Sequence, residues 1–321
     1  MLGSERRQEV ADINADRESM RKIRGTEEQQ GAVSRGVDGV KTVFSQLTSA
    51  FVRAILVLVV ISMPSVLLPG VNADTAQVVA LVSLAGAVLV FFEYSSAYPS
   101  LVEFRDAPPF NRVRYVSLLI TVSLLTIIVR GEAEPSTLSM FAKATGNIIG
   151  EAINFEYSPV NLVALMLPAD AGIDQLVLVR SIAGLSYLIS LMTLVAFLML
   201  IRIQGWPSRG KTFNVWVNLP TFDPSAGGDV VARLVRDGRV NIILGLVLPF
   251  LLPVMVLAAS KVFDPIVLDS PQTMVWTMTA WAFLPTSLFM RGIAMRRIAA
   301  MIKEKRKRSN AYVEKHGYTP A

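Results

Sequence analysis

Residues 181–201 read SIAGLSYLISLMTLVAFLMLI, 21 residues without one charge. As an α-helix at about 1.5 Å per residue the run is roughly 30 Å long, the thickness of a bilayer core. Arg180 and Arg202 stand at its two ends, where long side chains reach headgroups while their stems stay in hydrocarbon. In lipid every backbone polar group needs a partner within the protein, so such a run has little choice but to be a helix.

Five further runs repeat the pattern, at 54–68, 76–92, 115–129, 240–260 and 270–290. The third has only 15 residues and crosses if Arg114 and Arg130 snorkel outward. Charged residues make up 17% of the 321-residue chain, against about 25% in soluble domains, and the deficit is concentrated in these runs. The fold class expected is all-α, a polytopic integral membrane bundle of six transmembrane helices.

Six crossings put both termini on one side. That side, with the loops after the second and fourth runs, carries 27 of the 31 Lys and Arg; the other carries Arg130, Lys143, Arg180 and Lys261. With acidic residues included the two faces differ as +11 against −5. The positive-inside rule then places both termini in the cytoplasm, most simply of a bacterial inner membrane. The first 50 residues are polar, so the first span itself is expected to act as the insertion signal.

The chain divides accordingly. Residues 1–49 form a cytoplasmic arm with an amphipathic helix over 33–51, where Val33, Val37, Val40, Phe44, Leu47 and Phe51 share a stripe suited to a membrane surface or a partner helix. Residues 50–130 hold the first three transmembrane helices. Residues 131–172 form an external cap: an amphipathic helix with Leu138, Phe141 and Ile148 on one face and Lys143, Asn147 and Glu151 on the other, then a 13-residue uncharged run at 157–169, too short to span and so re-entrant or interfacial. Residues 173–290 hold the last three spans and a cytoplasmic loop, 202–239. In that loop Val215 and Val217 read as a short extended stretch, and Asp229 as the cap of a short helix. Residues 291–321 are a basic tail.

Composition removes much chemistry. There is no Cys, and the one His is His316, near the C-terminus. The spans hold no Asp, Glu, Lys or His, whereas ion-coupled pumps keep a titratable group at mid-depth. Gly227-Gly228 is followed by no Walker lysine. No catalytic, metal or cofactor site is expected.

Three sets of residues stand out. Tyr94, Tyr98, Glu103, Arg105 and Asp106 crowd one loop, and Trp216, Arg233 and Arg236 belong to the next; together they suit a partner-docking surface or an interfacial belt. Pro249 and Pro253 free backbone carbonyls one turn apart, which either bends the helix or, with Arg180 and Asn161, lines a transport path. Lys303, Lys305, Arg306, Lys307 and Arg308 suit anionic lipid. The function expected is a non-catalytic, multi-pass inner-membrane subunit or scaffold of a larger assembly. Its partners would be membrane lipids and other membrane subunits or further copies of itself, with no nucleic acid. The alternative is a channel or uncoupled transporter lined by the fifth span and the external re-entrant segment.

Overall fold

Several apolar runs lie inside helices longer than themselves, the ladder continuing into charged flanks such as residues 110–114 before the 115–129 run and 230–239 before the 240–260 run. The computed structural model describes residues 45–168, 171–207, 213–223, 227–259 and 270–316, and every regular element among them is an α-helix. Val33, Val37, Val40 and Phe44 of the expected amphipathic stripe lie outside the described residues. In order the helices are α1 (Ser45–Leu67), α2 (Ala73–Ser95), α3 (Phe110–Arg130), α4 (Thr137–Ala152), α5 (Pro159–Ala164), α6 (Ile173–Ile203), α7 (Val215–Asn218), α8 (Val230–Ala259) and α9 (Pro271–His316). Asn72 caps α2 through the Thr75 amide, and Ser136 and Ser139 form a reciprocal box at the start of α4.

Five of these, α1, α2, α3, α6 and α8, are long and apolar enough to cross a membrane. The 270–290 run lies within α9 from Pro271 onward but is diluted by Gln272, Thr273, Thr277, Thr279, Thr286 and Ser287, and falls short of that apolarity. The packing supplies the reason. α9 touches α8, α6 and α3, and Met274, Val275, Met278, Trp281 and Ala282 are buried. A helix with protein on most sides needs less lipid-compatible surface than one such as α2, where only Ser83, Ala87 and Glu93 are buried.

Two apolar cores sort the connections between opposite ends of the bundle. One gathers Leu68, the last turns of α3, Ala142 of α4, Val160 and Val163 of α5, the first turns of α6 and the first turns of α9. The other gathers Phe104 and Phe110, Phe197 and Ile201 of α6, Trp206, Leu219, Phe222, Leu234 of α8, and Met290 to Ala299 of α9. α9 therefore runs from one core to the other, against α8.

Glycines allow the closest approaches. A Cβ at Gly146 would collide with the Ser181 carbonyl oxygen, and one at Gly150 would stand 2.7 Å from that of Arg180, so α4 lies backbone to backbone on α6 around Gly184. Gly238 and Gly292 do the same for α8 and α9, a Cβ at Gly292 coming within 2.5 Å of the Gly238 oxygen. Polar side chains add ties between spans: Thr193 donates to Ser117 at 2.8 Å and Ser190 to the Ala282 carbonyl at 3.1 Å.

Several local expectations change. The third span is part of a 21-residue helix. Val215 and Val217 lie in a helical turn rather than an extended stretch, since Leu219 must fold back to be fully buried and its amide donates to the Val215 carbonyl at 2.8 Å. Asp229 accepts from the Ala232 amide at 3.2 Å, but the helix it caps continues without a break into the fifth span. In α4 the packed stripe is Ser139, Ala142, Gly146 and Gly150, while Leu138, Phe141 and Ile148 point away from the protein.

Candidate functional site

The basic end of the bundle carries a folded platform in place of simple connectors. Phe104 lies 4.3 Å from Phe110 and 6.0 Å from Trp206, ring centre to ring centre, and Phe110 lies 5.7 Å from Phe197. Phe104 is fully buried although its φ is 53°, a left-handed backbone that bulky residues avoid. Strain of that kind costs on the order of 1–3 kcal/mol. Burying the ring recovers about 1.5–3 kcal/mol, and its amide donates to the Asn218 carbonyl at 2.7 Å.

A polar network pins the platform to the helices. Arg291 of α9 donates to Glu103 through Nε at 2.6 Å and through a second nitrogen at 2.7 Å, and to Asn241 of α8 at 3.0 Å. Thr221 donates to Glu103 at 2.5 Å, Asn111 donates to the Glu103 carbonyl at 2.7 Å, and the Asp106 amide donates to Asn218 at 3.1 Å. The loop after α2, the loop after α6 and α9 thus meet at one carboxylate, and α8 joins them through Arg291. A further tie closes the α8–α9 pair: Arg306 donates to Asp229 at 2.6 Å, which holds that carboxyl below the ordinary aspartate range.

The candidate residues separate on this frame. Glu103 and Arg105 are internal: Arg105, its side chain 7% exposed, donates to the carbonyls of Glu93 and Ser96 and pairs with Asp106. Tyr98, Asp106 and Arg236 face outward. Arg233 lies over the Phe222 ring at 4.8 Å, and the side chain of Trp216 lies outside the description. Pro253 has no N–H for the carbonyl of Pro249, and Trp281 Nε1 donates to that oxygen instead, at 2.9 Å. Asn161 opens α5 on the Ser158 cap, and Arg180 has a buried Nε without a hydrogen-bond partner. Lys303, Lys305, Lys307 and Arg308 are exposed on α9, where Arg308 pairs with Glu304.

Sequence reading missed a cavity of about 1140 Å³ between α1, α2, α3 and the loop that follows α2. Arg53, Arg105, Arg112 and Arg114 line it, with Tyr94, Tyr115 and a largely aliphatic wall. Arg53 stacks on Tyr94 at 4.5 Å and donates to Ser49, while Arg114 lies 5.5 Å from the Phe110 ring and 5.8 Å from that of Phe283. The guanidinium spacing was visible in the chain, but α1 contributes residues some 60 positions from α3, as in the Tyr115 hydroxyl that donates to the Leu56 carbonyl at 3.0 Å. No periodicity brings such residues together. Among the described residues no group of three or more His, Cys, Asp or Glu is placed to hold a metal ion. No family model matches the chain, and neither does any curated protein or solved structure.

Proposed function

We propose that this chain is a six-span, non-catalytic subunit or scaffold of a bacterial inner-membrane assembly, with its platform and both termini in the cytoplasm. The observation that carries this reading is the platform itself. Loops that only connect spans stay mobile, because ordering each residue costs about 1–2 kcal/mol of backbone entropy. Here the described parts of the connectors pack around Glu103 and Arg291 and own an aromatic core, so they hold a surface of fixed shape. Arg112, Arg236 and Asp106 face outward from it.

The α9 helix extends that surface. Its 46 residues span about 69 Å, more than twice the roughly 30 Å of a bilayer core. The course of α9 from the outer core to the inner one supports counting it as the sixth span. The charge difference between the faces supports the cytoplasmic side for its free end. Lipids and other membrane subunits, or further copies of the chain, are the partners this arrangement suits. A permeation path along α8 has less support: the carbonyl freed by Pro253 already has its donor in Trp281, and Val160 and Val163 of α5 are fully buried in the outer core.

The test is extraction into native nanodiscs. The chain is expected to migrate in a species at least twice its own 35.1 kDa, of fixed stoichiometry. Arg233→Ala with Arg236→Ala is expected to release the companion subunit without unfolding the chain. Migration as a lone monomer from native membranes overturns the proposal.

A further inference from the structure

The geometry points to the α1–α2–α3 cavity as a binding site for one anionic phospholipid of the inner leaflet, its phosphate held by Arg53 and Arg114. The three helical walls of the cavity run from polar to aliphatic in the same direction. On α1, Arg53 comes one turn before Val57. On α3, Arg112 and Arg114 come before Val116 and Leu118. On α2, which runs the opposite way, Val90 comes before Tyr94. All three helices therefore set their polar ends beside the platform and their aliphatic lengths toward mid-bilayer, which is the shape of a headgroup with its chains.

Charge selects an anion. Among the described residues lining the cavity, none is acidic. Arg105 is neutralised by Asp106 and held by two carbonyls. Arg114 keeps a buried Nε with no hydrogen-bond partner, and the charges that act on it are Glu103, already gripped by Arg291, and Arg291 itself. A phosphodiester between Arg53 and Arg114 meets the terminal nitrogens of the Arg114 guanidinium, which lines the cavity, and guanidinium suits phosphate oxygens. Basic pockets between transmembrane helices at the cytoplasmic side are a recurring form of site for anionic headgroups.

Size selects a lipid over a free anion. The cavity of about 1140 Å³ is larger than the roughly 300–1,000 Å³ that encloses drug-sized ligands. The tail cations are worse placed for this task. Lys303 stands thirteen residues beyond Met290 on the same helix, about 20 Å along its axis, while the headgroup layer is roughly 5–8 Å deep.

The leaflet, and not the lipid, rests on the orientation proposed above. An external location for the platform would overturn the leaflet, while lipid retention is read separately. The full-length protein is delipidated in detergent, then mixed with dioleoyl phosphatidylglycerol or dioleoyl phosphatidylcholine, each with and without excess inorganic phosphate, and bound lipid is counted by native mass spectrometry. One phosphatidylglycerol per chain is expected to persist, about tenfold above phosphatidylcholine and undiminished by inorganic phosphate. Arg53→Gln with Arg114→Gln is expected to abolish that preference, and Lys303→Gln with Lys307→Gln to leave it intact. Equal retention of both lipids, displacement by inorganic phosphate, an unchanged double arginine variant or an equal loss in the tail variant overturns the site. Should the arginine variant fail to fold, Val116→Trp decides, since it keeps the cations and fills the aliphatic part. Lower retention supports the site and unchanged retention overturns it. A wild-type cavity that takes up no lipid, as when the chain's own N-terminal arm fills it, overturns it as well.

Discussion

Arg291 and Glu103 lie 188 residues apart in the chain, yet the guanidinium of one grips the carboxylate of the other through two hydrogen bonds, 2.6 and 2.7 Å long. The pair joins the last helix to the loop after α2. With Glu103 11% exposed, breaking it leaves a poorly solvated charge behind. Glu103→Gln or Arg291→Gln is expected to cost roughly 3 kcal/mol, the lower end for buried pairs because Arg291 retains 27% exposure. The double variant is expected to cost less than the two single changes added together. Reversible denaturation in mixed micelles measures all three.

The contact of α4 with α6 depends on missing side chains. Gly→Ala inside a helix ordinarily gains about 0.5–1 kcal/mol. At Gly146 and Gly184 the added carbon collides with backbone of the facing helix. Gly146→Ala and Gly184→Ala are therefore expected to destabilise the fold. Gly172→Ala, at the N-cap of α6 with nothing within 4 Å, meets no clash and is expected to cost at most about 1 kcal/mol, because Ala caps a helix less well than Gly. Thermal unfolding in detergent separates the two classes.

Trp281 and Pro253 form a linked pair. Trp281→Phe keeps an aromatic ring but removes the donor to the Pro249 carbonyl; an orphaned buried carbonyl costs about 1–3 kcal/mol, and the smaller ring adds a cavity to that cost. Pro253→Ala restores an amide one turn from the same oxygen. The combination is expected to be more stable than Trp281→Phe alone, because the helix then satisfies its own carbonyl. Equilibrium unfolding of the three variants checks the order.

Much of the architecture was legible because bilayer and helix impose simple rules. Uncharged length marked the five helices long and apolar enough to cross a membrane. The sixth run was harder to read by hydropathy, since Thr273, Thr277, Thr279 and Thr286 lower the apolarity of a helix that packs on protein. The platform was half visible: its aromatic and charged loop stood out, but Glu103 and Arg105 read as surface residues although they form its interior. Their partners, Arg291, Asn241 and Thr221, are too distant in the chain for local pattern to connect. The cavity left no linear signal at all.

The link of Asp229 to Arg306 makes a pH prediction. Hydrogen bonding to Arg306 lowers the carboxyl below its unfolded value, so the contribution is complete above the ordinary aspartate range and fades as pH falls through the folded value. The α8–α9 tie is therefore expected to be constant from neutral pH down to about pH 5 and to weaken below about pH 4. Arg306→Gln is expected to raise the Asp229 midpoint toward that of a free aspartate. Carboxyl carbon chemical shifts of Asp229 followed through an acid titration report both effects.

The proposed six-span topology requires α9 to carry the chain across the bilayer, so that Ser309 shares a compartment with the platform. The chain contains no cysteine, so single thiols can be introduced one at a time, at Ala133 after α3, at Arg236 on the platform face and at Ser309 on the extension of α9. All three positions are exposed. Intact cells treated with a membrane-impermeant maleimide are expected to label only Ala133→Cys, with Arg236→Cys and Ser309→Cys reacting after permeabilisation. Labelling of Ser309→Cys from outside, with Arg236→Cys protected, contradicts the sixth crossing and the architecture built on it.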